Sequence, residues 1–91
     1  MKALRERLAQ LEKGWSDDLP RLTRYENEAE KCLLRLVTSG QRRIFWDDVF
    51  RPISYAVCGF TPPVDAVLRR YESSGVLHRD YVGGGWCVAA A

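Results

Sequence analysis

Leu4, Leu8, Leu11 and Trp15 recur at spacings of four, three and four, which predicts a first helix over about residues 2–13 with one apolar seam. Gly14 supplies its stop. The seam serves equally to pack on its own domain or to pair with a second copy, because two heptads do not make a stable coiled coil alone. Ser16-Asp17-Asp18-Leu19-Pro20 reads as a turn. A second helix follows, with Thr23 and Glu26 at capping-box spacing. Its apolar positions, Leu22, Tyr25, Ala29, Cys32, Leu33, Leu36 and Val37, share one broad face, and Ser39-Gly40 ends it. Leu34 lies off that face and implies a second contact, with the first helix or with another subunit.

Ile44-Phe45-Trp46 is a short run of strand formers. Asp47 or Asp48 is placed to cap a third helix, whose buried set would be Val49, Phe50, Ile53, Ala56 and Val57. Pro52 lacks an amide donor, so this helix either starts there or kinks there. Cys58-Gly59-Phe60 breaks it. Thr61 and Pro62 then open a fourth helix, with Val64, Val67, Leu68 and Tyr71 inward and Gly75 as its stop. Residues 76–82 and 86–88 read as two strands around Gly83-Gly84-Gly85. The expected class is α+β, mainly α, with residues 1–15 as an N-terminal packing or dimerisation helix and 21–91 as the domain proper.

Composition bounds what this fold can do. Ninety-one residues make one small domain, 46% apolar and 29% charged, with no apolar run of membrane-spanning length. Met1-Lys2-Ala3-Leu4-Arg5-Glu6 has no apolar leader core, so no signal peptide is expected. The net charge is +2, milder than a strong nucleic-acid footprint. All six basic residues after Gly40 are arginine, the side chain suited to phosphate and carboxylate forks. The three cysteines, Cys32, Cys58 and Cys87, are odd in number and widely spaced, which fits a reduced, cytoplasmic setting and small buried hydrophobes. With a single histidine they do not make a metal set.

The order helix, short strand, helix, turn, helix, strand, loop, strand resembles the winged helix-turn-helix superfamily from about Leu22 to Val88. The resemblance also rests on Leu68-x-x-Tyr71-x-x-x-Gly75-Val76-Leu77, which is similar to that family's passage from third helix into wing. It implies a three-helix core with a β-hairpin wing, here with an extra N-terminal helix. It also implies a third helix that enters the major groove while the wing touches the backbone or minor groove. The sequence departs at Asp65, where a tight turn counted from Gly59 would place an apolar residue. The turn is therefore longer, or the resemblance is partial.

On that template the outward face of the last helix holds Pro62, Ala66, Arg69, Arg70 and Ser73, with Asp65 at its edge. Arg69 and Arg70 become the main DNA-binding candidates, with Arg42, Arg43, Arg79 and His78 as supporting contacts. Arg42 and Arg43 also read as a charged strand edge, and His78 as a surface residue. The tip around Gly83-Gly84-Gly85 carries no cation. Leu4, Leu8, Leu11, Trp15 and Leu34 are the candidate dimer or partner interface.

Chemistry is not expected. Cys58 or Cys87 with His78 is the one conceivable nucleophile–base pair, and a two-stranded hairpin offers no water-excluding pocket. Asp17-Asp18 and Asp47-Asp48 are adjacent pairs that point apart, and no phosphate-cradling glycine motif occurs. Neither an enzyme nor a cofactor nor a metal site is expected. The first functional reading is a small DNA-binding protein, a transcriptional regulator or a phage- or plasmid-type accessory factor, acting on double-stranded DNA as a homodimer. The alternative is the same fold as a protein-interaction module in a larger assembly. Its motives are the small outer face of Pro62, Pro63, Ala66 and Ser73, and the surplus of Trp15, Leu34, Phe45, Trp46, Phe60 and Trp86. A basic stripe across the last helix and wing would favour the first; a contiguous apolar patch with dispersed arginines would favour the second.

Overall fold

The computed structural model describes residues 2–14 and 19–89. Trp15 and residues 16–18 of the turn predicted over 16–20 lie outside the described residues. Four helices and three short strands follow in the order α1 (Lys2–Glu12), α2 (Arg21–Thr38), β1 (Arg43–Ile44), α3 (Trp46–Ile53), α4 (Pro62–Ser73), β2 (Leu77–Arg79) and β3 (Trp86–Val88). The architecture is α+β and mainly helical. β3 lies between β1 and β2, antiparallel to both, with Ile44 opposite Trp86 and His78 opposite Cys87. No helix among the described residues is long and apolar enough to cross a membrane.

The core explains why α2 carries apolar residues on more than one side. α2 contacts α1, α3 and α4, so no single face is its inner face. Ala29, Leu33, Leu34 and Val37 are all buried, together with Ile44, Val49, Val57, Val64, Val67, Leu68 and Leu77. Leu34 therefore belongs to the chain's own core, as does Leu11 of α1, with Leu4 and Leu8 packed partly buried against it. Leu22 departs from the expected inner face. It stands in the first turn of α2 and is 50% exposed.

Several helix starts differ from the sequence expectation. α2 begins at Arg21 behind Pro20, which makes no side-chain cap, and the carboxylate of Glu26 lies 3.6 Å from Arg70 instead of serving a capping box. α3 begins at Trp46, so Phe45-Trp46 are not strand. Asp48 sits inside its first turn and accepts the Phe45 amide at 2.8 Å. Pro52 stays within α3, near its end. Its missing N–H leaves the Asp48 carbonyl one turn back without a helical donor. The Cys32 thiol of α2 donates to that carbonyl at 3.7 Å. Thr61 occupies the position before α4 without a side-chain cap, and its carbonyl accepts the Val64 amide.

Asp65, the position at which the sequence departs from the winged-helix pattern it resembles, accepts the indole N–H of Trp46 at 2.8 Å and so ties α4 to α3. Pro63, expected outside, is buried. The predicted strand over 76–82 stops at Arg79 because Asp80 folds the chain back, accepting the amides of Val82 and Gly83 at 2.9 and 2.8 Å. Gly85 has φ +69°, and a Cβ there would stand 2.6 Å from the Ile44 carbonyl oxygen, so only glycine lets the hairpin lie against β1.

Among the described residues one charged side chain sits in this interior. Glu30 is 3% exposed and accepts Arg7 Nε at 2.9 Å, Arg70 Nη2 at 2.8 Å and the Tyr71 hydroxyl at 2.5 Å. Burial alone would raise its pKa. The donated bonds from Arg7 and Tyr71 and the charges of Arg70 and Arg7 outweigh burial and hold it below the ordinary carboxylate range. Tyr71 is pushed up, first by burial and then by Glu30.

A folded-state carboxylate with a lowered pKa adds stability above its unfolded pKa, and that contribution disappears as pH falls through the folded value. Glu30→Gln should therefore cost about 1–3 kcal/mol at neutral pH. In chemical denaturation followed across pH, the gap to the wild type should narrow below the normal carboxylate range. A gap independent of pH would refute the ionised assignment.

Candidate functional site

The α4–hairpin face is where the resemblance puts nucleic acid, and each candidate there has been placed. Pro62, Ala66, Arg69, Arg70 and Ser73 are exposed on α4, as the helical phase requires. The Arg69 side chain makes no hydrogen bond or ion pair among the described residues, although its charge acts on Glu72, and it lines a shallow depression of about 340 Å³ with Asp65, Leu68, Arg79 and Trp86. Arg70 turns its guanidinium back across α2, onto Glu30 and 3.6 Å from Glu26. Arg79 pairs with Glu72 at 3.2 Å and lies over the Trp86 ring at 5.1 Å. The Trp86 indole also donates to Glu72, at 3.1 Å. That bond and the Arg79 guanidinium hold the Glu72 carboxyl below its usual range.

Arg43 is equally committed. Its Nη2 pairs with Asp80 at 2.8 Å and its Nη1 donates to the Gly84 carbonyl at 3.0 Å, clasping the hairpin loop to β1. The amides of Gly83 and Val82, and then Arg43, keep the Asp80 carboxyl low. Arg42 is exposed, and its backbone carbonyl receives the Val88 amide. His78 is exposed, in one row across the sheet with Cys87 and Arg43, and no hydrogen bond joins it to either.

The fold thus brings Arg69 and Arg79 together and neutralises most of the face. Its five arginines, 42, 43, 69, 70 and 79, stand among as many carboxylates: Glu26, Glu30, Asp65, Glu72 and Asp80. These pairs were not readable in the sequence, since Arg70 and Glu30 are 40 positions apart. Of the dimer candidates, Leu11 and Leu34 are buried within the monomer and Leu4 and Leu8 pack partly buried against the core. Trp15 is outside the described residues. Of the surplus apolars, Trp86 is buried, Trp46 stacks on Phe50, and Phe45 and Phe60 remain partly exposed. Among the described residues no three or more His, Cys, Asp or Glu side chains gather as a metal set.

A second surface escaped the sequence reading. Leu22, Tyr25, Val57, Cys58 and Phe60, with Arg21 at the rim, line an open cleft of about 480 Å³ between the start of α2 and the α3–α4 connection. Two consecutive left-handed residues, Cys58 at φ +55° and Gly59 at φ +72°, turn the chain so that Phe60 projects beside Tyr25, with ring centroids 6.4 Å apart. The Tyr25 hydroxyl donates to the Cys58 sulfur at 3.5 Å, a bond that raises the Tyr25 pKa. Leu22 and Phe60 are each about half exposed. The one signal that could have found this site is Leu22 in a first helical turn facing a glycine-broken connection, where no following helix covers it.

Comparison with family models, with curated proteins and with solved structures returns no match to this chain.

The three thiols occupy different environments. Cys58 is exposed, Cys87 half-buried, and Cys32 buried with its pKa raised by burial. Native-state alkylation read by mass spectrometry should label Cys58 first and Cys32 last, the latter tracking unfolding. Cys32 reacting as fast as Cys58 would contradict the packing of α2 on α3.

Proposed function

We propose that this chain is a winged-helix module whose work is to hold another protein. The observation that carries this reading is the exposed apolar cleft of Leu22, Tyr25 and Phe60. A small soluble domain keeps large apolar groups together at its surface chiefly where something binds. The charge balance points the same way. Duplex binding draws its affinity from arginines and lysines that neutralise phosphates. Here Arg43, Arg70 and Arg79 already neutralise Asp80, Glu30 and Glu72.

Double-stranded DNA remains the second reading because of one juxtaposition. Arg69 of α4 and Arg79 of β2 line the same depression beside Trp86. Asp65 and Glu72 share that neighbourhood and would repel phosphate. With Arg42 and Arg69 as the cations of this face whose side chains make no hydrogen bond or ion pair among the described residues, binding would be weak. Its dependence on salt would have a log–log slope of about −2, at roughly −0.9 per phosphate contacted.

Titration of isotope-labelled protein, followed by amide NMR, separates the two. Small apolar fragments such as phenol and indole should move the signals of Leu22, Tyr25, Cys58 and Phe60. Mixed-sequence duplex at low salt should bind weakly, with a slope no steeper than about −2. Tight, steeply salt-dependent duplex binding abolished by Arg69→Ala or Arg79→Ala would overturn the module reading.

A further inference from the structure

The cleft has a cationic neighbour, and together they specify what fits. The apolar cleft adjoins a second depression of about 310 Å³ lined by Arg21, Arg24, Tyr25, Glu28 and Ala56; the two share Arg21 and Tyr25. Arg21 is exposed and has no partner among the described residues. The Nε of Arg24 is buried without an acceptor. Glu28, the carboxylate of this depression, is engaged by Lys31 at 3.3 Å. Both arginines also fall in the first turn of α2, which contains no acidic residue and has no side-chain cap. Helix amides and a positive dipole end favour a carboxylate at that place, and among the described residues the first turn supplies two cations instead. An anion completes this arrangement.

We propose that the cleft receives an acidic peptide segment of a partner protein, with one large apolar side chain between Leu22, Tyr25 and Phe60 and a neighbouring Asp or Glu on Arg21 and Arg24. This inference rests on the module reading above and adds the chemistry of the partner. The apolar contact provides most of the affinity, because it removes water from surface that stays half exposed in the free chain. The carboxylate provides orientation and selects against basic segments.

The test is selection of a phage-displayed random peptide library on the full chain, followed by binding of the synthetic winners to wild type and variants. The winners should pair a Leu, Ile or aromatic residue with Asp or Glu, slow alkylation of Cys58, and lose most of their affinity with Leu22→Asp. Arg21→Glu leaves the core untouched. It should weaken these peptides about three- to tenfold and be rescued when their acidic residue is exchanged for Lys. Winners that protect Cys58 but are basic or neutral, and are indifferent to Arg21→Glu, would overturn the acidic assignment and leave the module reading standing. Winners that bind elsewhere, or no winners at all, would overturn both. Self-association in sedimentation that Leu22→Asp abolishes would make the occupant a second copy and overturn the partner assignment.

Discussion

Among the described residues, the helix packing depends on one buried carboxylate. Glu30 stands in the middle of α2 and is reached by donors from α1 and α4: Arg7, Arg70 and Tyr71. Burying an ionised carboxylate is expensive unless its lone pairs are filled. Here three donors fill them, two of them cationic. The arrangement fixes the rotation of α4 against α2 more sharply than apolar packing does, since a valine or leucine tolerates small slides and a forked ion pair does not. It also anchors α1, an eleven-residue helix too short to be stable alone. A further pair, Arg35 with Glu12 at 3.2 Å, holds the C-terminal end of α1, and its exposure makes it the weaker tie.

The same logic recurs in the hairpin and determines what is left for function. Arg43 clasps Asp80 and Gly84, while Arg79 joins Glu72 and Trp86. In each case an arginine that resembles a nucleic-acid contact is positioning a loop or a strand. Among the described residues, the arginines without such an ion pair include Arg21, beside the apolar cleft, Arg42, before β1, and Arg69 of α4. The hairpin loop itself presents Tyr81 and Val82, 88% and 101% exposed, on a turn made rigid by Asp80. Its chemistry is apolar, like that of the cleft.

Much of the architecture was legible because it follows from period alone. Val64, Val67, Leu68 and Tyr71 fall on one side of a helix whatever surrounds them, and all four are buried. Helix ends were less legible. Capping signals are local preferences, and at α2 and α3 the chain began the helix ahead of the expected cap, behind Pro20 and Phe45. The site was least legible of all. Helical phase assigned Leu22 to the inner face, yet it stands half exposed, because phase does not say where the neighbouring helix stops. Charge pairing between Glu30 and Arg70 is invisible to any local window, so Arg70 read as a free outward cation. Asp65 read as a fault in the family pattern until Trp46 supplied its donor.

The most direct measurement is arginine side-chain NMR of the wild-type chain with and without mixed-sequence duplex. If the arginines of α4 and the hairpin belong to the protein's own carboxylates, the side-chain N–H signals of Arg70 and Arg79 will exchange slowly with water and will not move when duplex is added. Fast exchange, with Arg69, Arg70 and Arg79 shifting together as duplex is titrated in, would contradict that assignment and return this face to nucleic acid.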